Sequence, residues 1–193
     1  LLQRAAEEPD LTWRVLGTLN AFRALIAVAL LTIFVAGGEP RVFGEQHPTL
    51  FWAAATIYLL SSIISAIALR QRWAGADLQA ASQSLLDIGA VVVLMHASGG
   101  IASGLGGLLI VFVGAASLVL PRRFPLVLAA IATFAILGQQ LLTQLSNVPV
   151  DANYPAAGIL SAVIFAMALA TRPLGRRIQA SEALARQRGV DLQ

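Results

Sequence analysis

Two ionisable side chains stand where a lipid-spanning segment should have none: Arg23 and Asp87 each interrupt a long apolar run. A charge at the bilayer centre costs about 2.5–3.5 kcal/mol on insertion scales, so such a group faces protein or water and has a partner. Arg23 follows Val15 by eight residues and Asp87 follows Leu78 by nine. At 1.5 Å per residue both lie roughly 12–14 Å deep. Equal depth on two parallel helices permits a buried salt bridge. In the competing arrangement Arg23 snorkels to the cytoplasmic headgroups and Asp87 is protonated or bonded locally.

Asp87 does not stand alone on its helix. Gln79, Gln83 and Asp87 repeat at four-residue intervals, and Ser84 precedes Asp87 by three. One helical face is therefore polar and points into the bundle. It can serve as interhelical glue or as part of a proton or ion path. A path usually needs several ionisable groups, and Asp87 is the single acid expected inside a span. Further along lies a run of small residues, His96, Ser98, Gly99, Gly100, Ser103, Gly104 and Gly107. On a helix, Gly100 with Gly104 and Ser103 with Gly107 form adjoining small-residue stripes that let backbones approach closely. They suit internal packing, or a docking groove for another membrane helix.

No catalytic constellation accompanies these residues. There is no phosphate-binding glycine loop, nucleophile triad or carboxylate pair, and the Gly99–Gly107 cluster is neither GxGxxG nor a Walker loop. His47 and His96 fall in separate loops or helix ends without metal-ligand spacing, so no metal and no cofactor are expected. The absence of cysteine excludes disulfides and thiolate sites.

The elements that must hold these residues follow from hydropathy. The 193 residues are 58% hydrophobic and 12% charged, against about 45–50% and about 25% in soluble domains. Such a surplus has to face lipid. A span needs about 20 apolar residues, and six runs qualify: Val15 to Val35, Leu50 to Leu69, Leu78 to Ala97, Ile101 to Leu120, Pro125 to Leu142, and Pro155 to Thr171. Ser98-Gly99-Gly100 alone separates the third from the fourth, which predicts a tight antiparallel hairpin. No two-residue alternation supports a β-barrel. The expected fold is all-α, a polytopic bundle of six transmembrane helices over residues 1–173.

Orientation follows from charge. Every basic residue is arginine. With a cytoplasmic N-terminus, Arg4, Arg14, Arg70, Arg72, Arg122, Arg123 and the five arginines from Arg172 to Arg188 all fall inside. Arg41 alone falls outside. Both termini are therefore expected in the cytoplasm, and the basic balance is a topology signal with no nucleic-acid partner implied. The external segments are too short to fold into a ligand-binding domain. Any signal must meet the spans or their rims.

Residues 174–193 change character. The segment is polar and helix-prone, and Glu182 precedes Arg186 by four residues, a favourable helical pair. Pro173 at the junction should kink or interrupt the helix. This reads as the start of a cytoplasmic connector, or else as a simple tail. The chain lacks an initial methionine and stops within a charged stretch, so a longer parent protein is expected.

Two phrases, LMHASGGIASGLG from Leu94 to Gly106 and SEALARQRGVDL from Ser181 to Leu192, resemble the membrane domain of PilS-type sensor histidine kinases. The resemblance covers nearly the whole chain. It implies a signal-input domain of the bacterial inner membrane, a homodimer, followed by PAS, phosphoacceptor and ATP-binding domains outside this sequence. It also implies a response regulator that controls pilin transcription for type IV pili, with pilin within the bilayer as the sensed partner. The related RegB-like redox kinases carry Gly-Gly-x-x-Asn-Pro-Phe in the same hairpin. Here Gly99-Gly100 leads into Ile-Ala-Ser-Gly-Leu, which argues against quinone sensing. A redox sensor and a small transporter are the alternative functions; no convincing internal repeat supports the transporter.

Overall fold

The computed structural model describes residues 7–38, 42–120, 124–145 and 153–171, with side chains from residue 13 onward. Without water in the bilayer, each backbone polar group must find a partner within the protein, and a helix provides these internally. Six helices result: α1 Glu7–Ala36, α2 Pro48–Gln71, α3 Ala76–Ala97, α4 Gly106–Val119, α5 Phe124–Leu145 and α6 Tyr154–Thr171. All except α4 are long and apolar enough to cross a membrane by length and composition. There is no strand among the described residues.

Local chemistry explains the ends of α2. Pro48 opens it, where the missing N–H would have no helical acceptor anyway. Arg72 closes it in a left-handed conformation, φ 51°, and the N–H groups of Arg72 and Trp73 turn back to the carbonyls of Leu69 and Ala68. The Arg72 guanidinium then lies 5.4 Å over the Trp13 ring, tying this end of α2 to α1.

α4 departs from expectation. It begins at Gly106, five residues later than Ile101, and has 14 residues, about 21 Å of helix against a hydrocarbon core of about 30 Å. The missing length is a folded turn. Gly99, Gly100 and Gly104 all have positive φ, between 74° and 94°, and a short 3-10 helix spans Gly100–Ser103. Side chains rarely adopt that backbone, so glycine is required there. The expected stripes therefore do not exist as helical faces, because Gly100, Ser103 and Gly104 precede α4. Gly107 is on α4, but a Cβ there would meet nothing within 4 Å.

α3 is the most enclosed of the long spans. It packs against α1, α2, α4 and α5 and buries Ile88, Val91, Leu94 and Met95. α4 leans on α6 through two glycines: a Cβ on Gly106 would come within 2.6 Å of Leu160, and one on Gly114 within 2.8 Å of Met167. These are the sites of close helix approach, eight residues apart on one face.

Candidate functional site: a buried ion pair bridging three helices

Lipid-spanning helices leave few polar groups inside, so each buried one has to be accounted for. On α3 the face carrying Gln79, Gln83 and Asp87 turns inward, and all three are at most 6% exposed. Arg23 on α1 meets this face. Its Nη2 donates to Asp87 Oδ2 at 2.5 Å, with the two side chains 6% and 5% exposed. The other carboxylate oxygen, Oδ1, accepts from the Tyr58 hydroxyl of α2 at 2.7 Å. One carboxylate thus joins three helices at one depth, with a donor on each oxygen.

A neutral pair of bonds continues the α1–α2 seam. Asn20 Nδ2 donates to the Ser62 carbonyl at 3.0 Å, and Ser62 Oγ donates to the Asn20 carbonyl at 3.3 Å. Ser84 is spent locally: its hydroxyl donates to the Ala80 carbonyl at 2.8 Å. Arg23 Nε, Gln83 Nε2 and Gln79 Oε1 are buried without a hydrogen-bond partner. Arg23 and Gln83 line a small cavity of about 30 Å³ between α1, α3 and α4. A wider groove of about 460 Å³ runs between α2 and α3, and its lining includes Ala53, Ala54, Tyr58, Gly89 and Ala90.

The opposite rim is organised around the glycine turn. Gly44 N–H donates to Ser98 Oγ at 3.0 Å, and His47 N–H to the Ala97 carbonyl at 3.1 Å. The turn thereby holds the α1–α2 loop against the end of α3. The rings of His47 and His96, which the sequence assigned to separate loops or ends, stack at 5.8 Å. No group of three or more metal-ligating side chains occurs among the described residues. On α5, Gln140 Nε2 donates to Gln139 Oε1 at 3.0 Å, and Gln140 Oε1 accepts from the Asn153 N–H at 3.0 Å. A Cβ on Gly100 would come within 3.2 Å of Gln139 Nε2.

The family model for the PilS-like transmembrane domain matches residues 5–185. The chain belongs to this family. Sensor protein kinase PilS of Pseudomonas aeruginosa is 33% identical over 178 residues, which cover 91% of this chain and 33% of that protein. The chain therefore spans about a third of the length of the curated relative. No solved structure matches it. As a PilS-like transmembrane domain it is a multi-pass protein of the inner membrane.

Within this PilS-like domain the sequence-selected residues fall into three groups. Arg23, Gln79, Gln83, Ser84 and Asp87 meet at the buried pair or on the same α3 face. His96 in the last turn of α3, Ser98, Gly99, Gly100, Ser103 and Gly104 in the turn, and Gly107 at the start of α4 lie together at the far rim, away from that pair. Pro173, Glu182 and Arg186 lie outside the described residues. Sequence reasoning missed Tyr58 and the Gln139–Gln140 pair. A signal for Tyr58 exists: tyrosines of membrane helices gather at the interfaces, whereas this one lies ten residues past Pro48, inside a span.

Proposed function

We propose that this PilS-like domain is the signal-input unit of a two-component sensor histidine kinase that controls pilin expression, and that it senses pilin within the membrane. The membership of the family supports the kinase reading. The single structural observation that supports intramembrane sensing is the Arg23–Asp87–Tyr58 bridge, a buried polar junction of three helices. A buried salt bridge contributes little net stability but is costly to break by removing one side. That combination suits a two-state contact. The apolar N-terminal helix of a pilin carries one acidic residue near its end. Bound alongside, that acid competes with Asp87 for Arg23 and changes how α1 and α3 sit. A ligand shifts such an equilibrium only by its differential affinity for the two states, so the pilin contacts belong to one state.

The kinase domains, a homodimeric assembly and the response regulator belong to the same proposal. The test uses the full-length protein in vesicles. Phosphotransfer to its response regulator is measured with and without co-inserted pilin, for the parent and for Arg23→Leu. Pilin should change phosphotransfer in the parent and leave Arg23→Leu unmoved. Equal phosphotransfer in the parent with and without pilin would sink the sensing role.

A further inference from the structure

The Arg23–Asp87 bridge uses one nitrogen of a guanidinium that offers five N–H donors. Arg23 Nε is left without a partner, and so is Nε2 of Gln83, one turn before Asp87 on the same α3 face. These residues are 5% and 3% exposed. A buried donor without an acceptor is costly, more so when it carries charge. Both line the same cavity of about 30 Å³, whose walls include Phe22 of α1 and Phe112, Ala115 and Val119 of α4. Phe22 is 40% exposed, and Leu19, Ala115 and Val119 are half-buried, so the side between α1 and α4 is the least enclosed wall of the cavity.

We infer that this opening is a side port for one acceptor group, the carboxyl of an acidic side chain on a partner transmembrane helix. Three features select that occupant. Both unsatisfied groups are donors, and Asp87, which also lines the cavity, already takes a donor on each oxygen, so the site calls for an acceptor and disfavours a lysine or arginine. One donor belongs to a guanidinium, which pairs best with a carboxylate and can use two nitrogens to do so. The volume admits one or two waters or the end of a side chain, and excludes a ring. Entry from lipid needs a carrier that already spans the bilayer. Ala115 provides the gap in the wall, and the unsatisfied amide of Gln83 is the second donor.

This inference rests on the pilin reading for the identity of the natural carrier, but its chemistry is testable without pilin. The domain contains no cysteine, so each introduced cysteine is the single one in the membrane domain, and any cysteine elsewhere in the full-length protein is replaced by serine for the assay. Cysteines are placed singly at Leu19 and Ala115 beside the port, and at Ala53 and Gly89 in the α2–α3 groove, in the full-length protein in membranes. The probe is a polyleucine transmembrane helix with one cysteine beside a Glu, Gln or Leu at the depth of Arg23. Disulfide yield at Leu19 and Ala115 should be about ten- to a hundredfold higher for the Glu probe than for the Leu probe, the span expected for a charge-assisted hydrogen bond. It should fall by a similar factor in Gln83→Leu. Ala115→Phe, which fills the gap and leaves both donors, should abolish the yield at Leu19. Equal yields for Glu and Leu probes, or capture only at Ala53 and Gly89, would overturn the port. Repeating the set with cysteine-bearing pilin separates the two ideas. Pilin captured at the groove and not at the port would refute the port and keep pilin sensing. Pilin captured at neither, with the Glu probe still captured at the port, would refute pilin as carrier and keep the port.

Discussion

Removing Asp87 from the bundle should cost far more than removing it together with Arg23. In Asp87→Leu the guanidinium stays buried, with a side chain 6% exposed in the parent, and loses the carboxylate that it meets among the described residues. Stripping one partner from a buried pair costs about 3–5 kcal/mol. Arg23→Leu should cost a similar amount, softened because Tyr58 still donates to Asp87 at 2.7 Å. In the double variant no charge remains, and two leucines fill the space in an apolar bundle. Replacing a whole buried pair by apolar groups is often neutral or stabilising. The coupling should therefore reach about 3 kcal/mol or more, at least two powers of ten in the unfolding constant. Tyr58→Phe adds a third corner. It should cost about 1.5–3 kcal/mol in the parent, the range for a bond to a charged group, and almost nothing on Asp87→Leu. Reversible unfolding in mixed micelles, followed by emission of Trp13, Trp52 and Trp73, measures all of these. Additive single and double effects, or a Tyr58→Phe cost that survives without Asp87, would refute the three-helix bridge. A charge swap, Arg23→Asp with Asp87→Arg, should recover part of the loss.

The arginine bias predicts that reporter fusions at residues 70–72, at 122–123 and in the tail are cytoplasmic, and that fusions near Glu45, Gly100 and Asn153 are periplasmic; a periplasmic signal at 122–123 would overturn the topology. Gly106→Val and Gly114→Val should each destabilise by about 1–3 kcal/mol, the cost of overpacking, because Leu160 and Met167 already lie against those positions. Gly107→Val, with nothing within 4 Å of its Cβ, should change the melting temperature little; equal shifts at all three would contradict the α4–α6 seam. Gly44→Ala should destabilise, since it combines φ 71° with a Cβ 2.9 Å from both Phe34 and Phe51; an unchanged melting temperature would count against that loop packing.

Hydropathy located the helices because lipid asks for about 20 apolar residues in a span, a length that five of the six reach and α4 does not. The sequence carried the depth of Arg23 and Asp87 because helix rise is constant. Other features were invisible for particular reasons. Residues 101–105 are as apolar as a span, so hydropathy extends the fourth helix through them, and only backbone geometry shows that Gly99, Gly100 and Gly104 break the run. A tyrosine in an apolar stretch scores as filler, and its hydroxyl contact with Asp87 depends on how α2 packs on α3. The close-approach glycines, Gly106 and Gly114, are eight apart, outside the four-residue spacing that draws attention first. Gln139 and Gln140 become a cluster only when the loop backbone at Asn153 arrives beside them.

Occupation of the proposed port would also be felt at α6. Its wall on α4 comprises Phe112, Ala115, Ala116 and Val119, while α4 presents Gly106 and Gly114 to Leu160 and Met167 of α6. At Gly114 an added methyl group would come within 2.8 Å of the terminal methyl of Met167, so that side chain would have to shift. A packed interior does not absorb such displacement gradually, because side chains fill it to crystal-like density. A side chain wedged between α1 and α4 would push α4 against α6, and α6 has to slide or tilt in response. Thr171 ends α6, and Arg172 and Pro173 follow it in the sequence, where the connector is expected to begin. The same occupant accepts from Arg23 Nε and, as a second carboxylate on that guanidinium, would compete with Asp87 for it and loosen α1 from α3. Two displacements from one contact, one through charge and one through packing, favour a single alternative arrangement over a continuum. Gly114→Ala then separates them: it should alter the pilin response of the kinase while leaving Glu-probe capture at Leu19 intact. Loss of both together would show that α4 cannot move independently of the port.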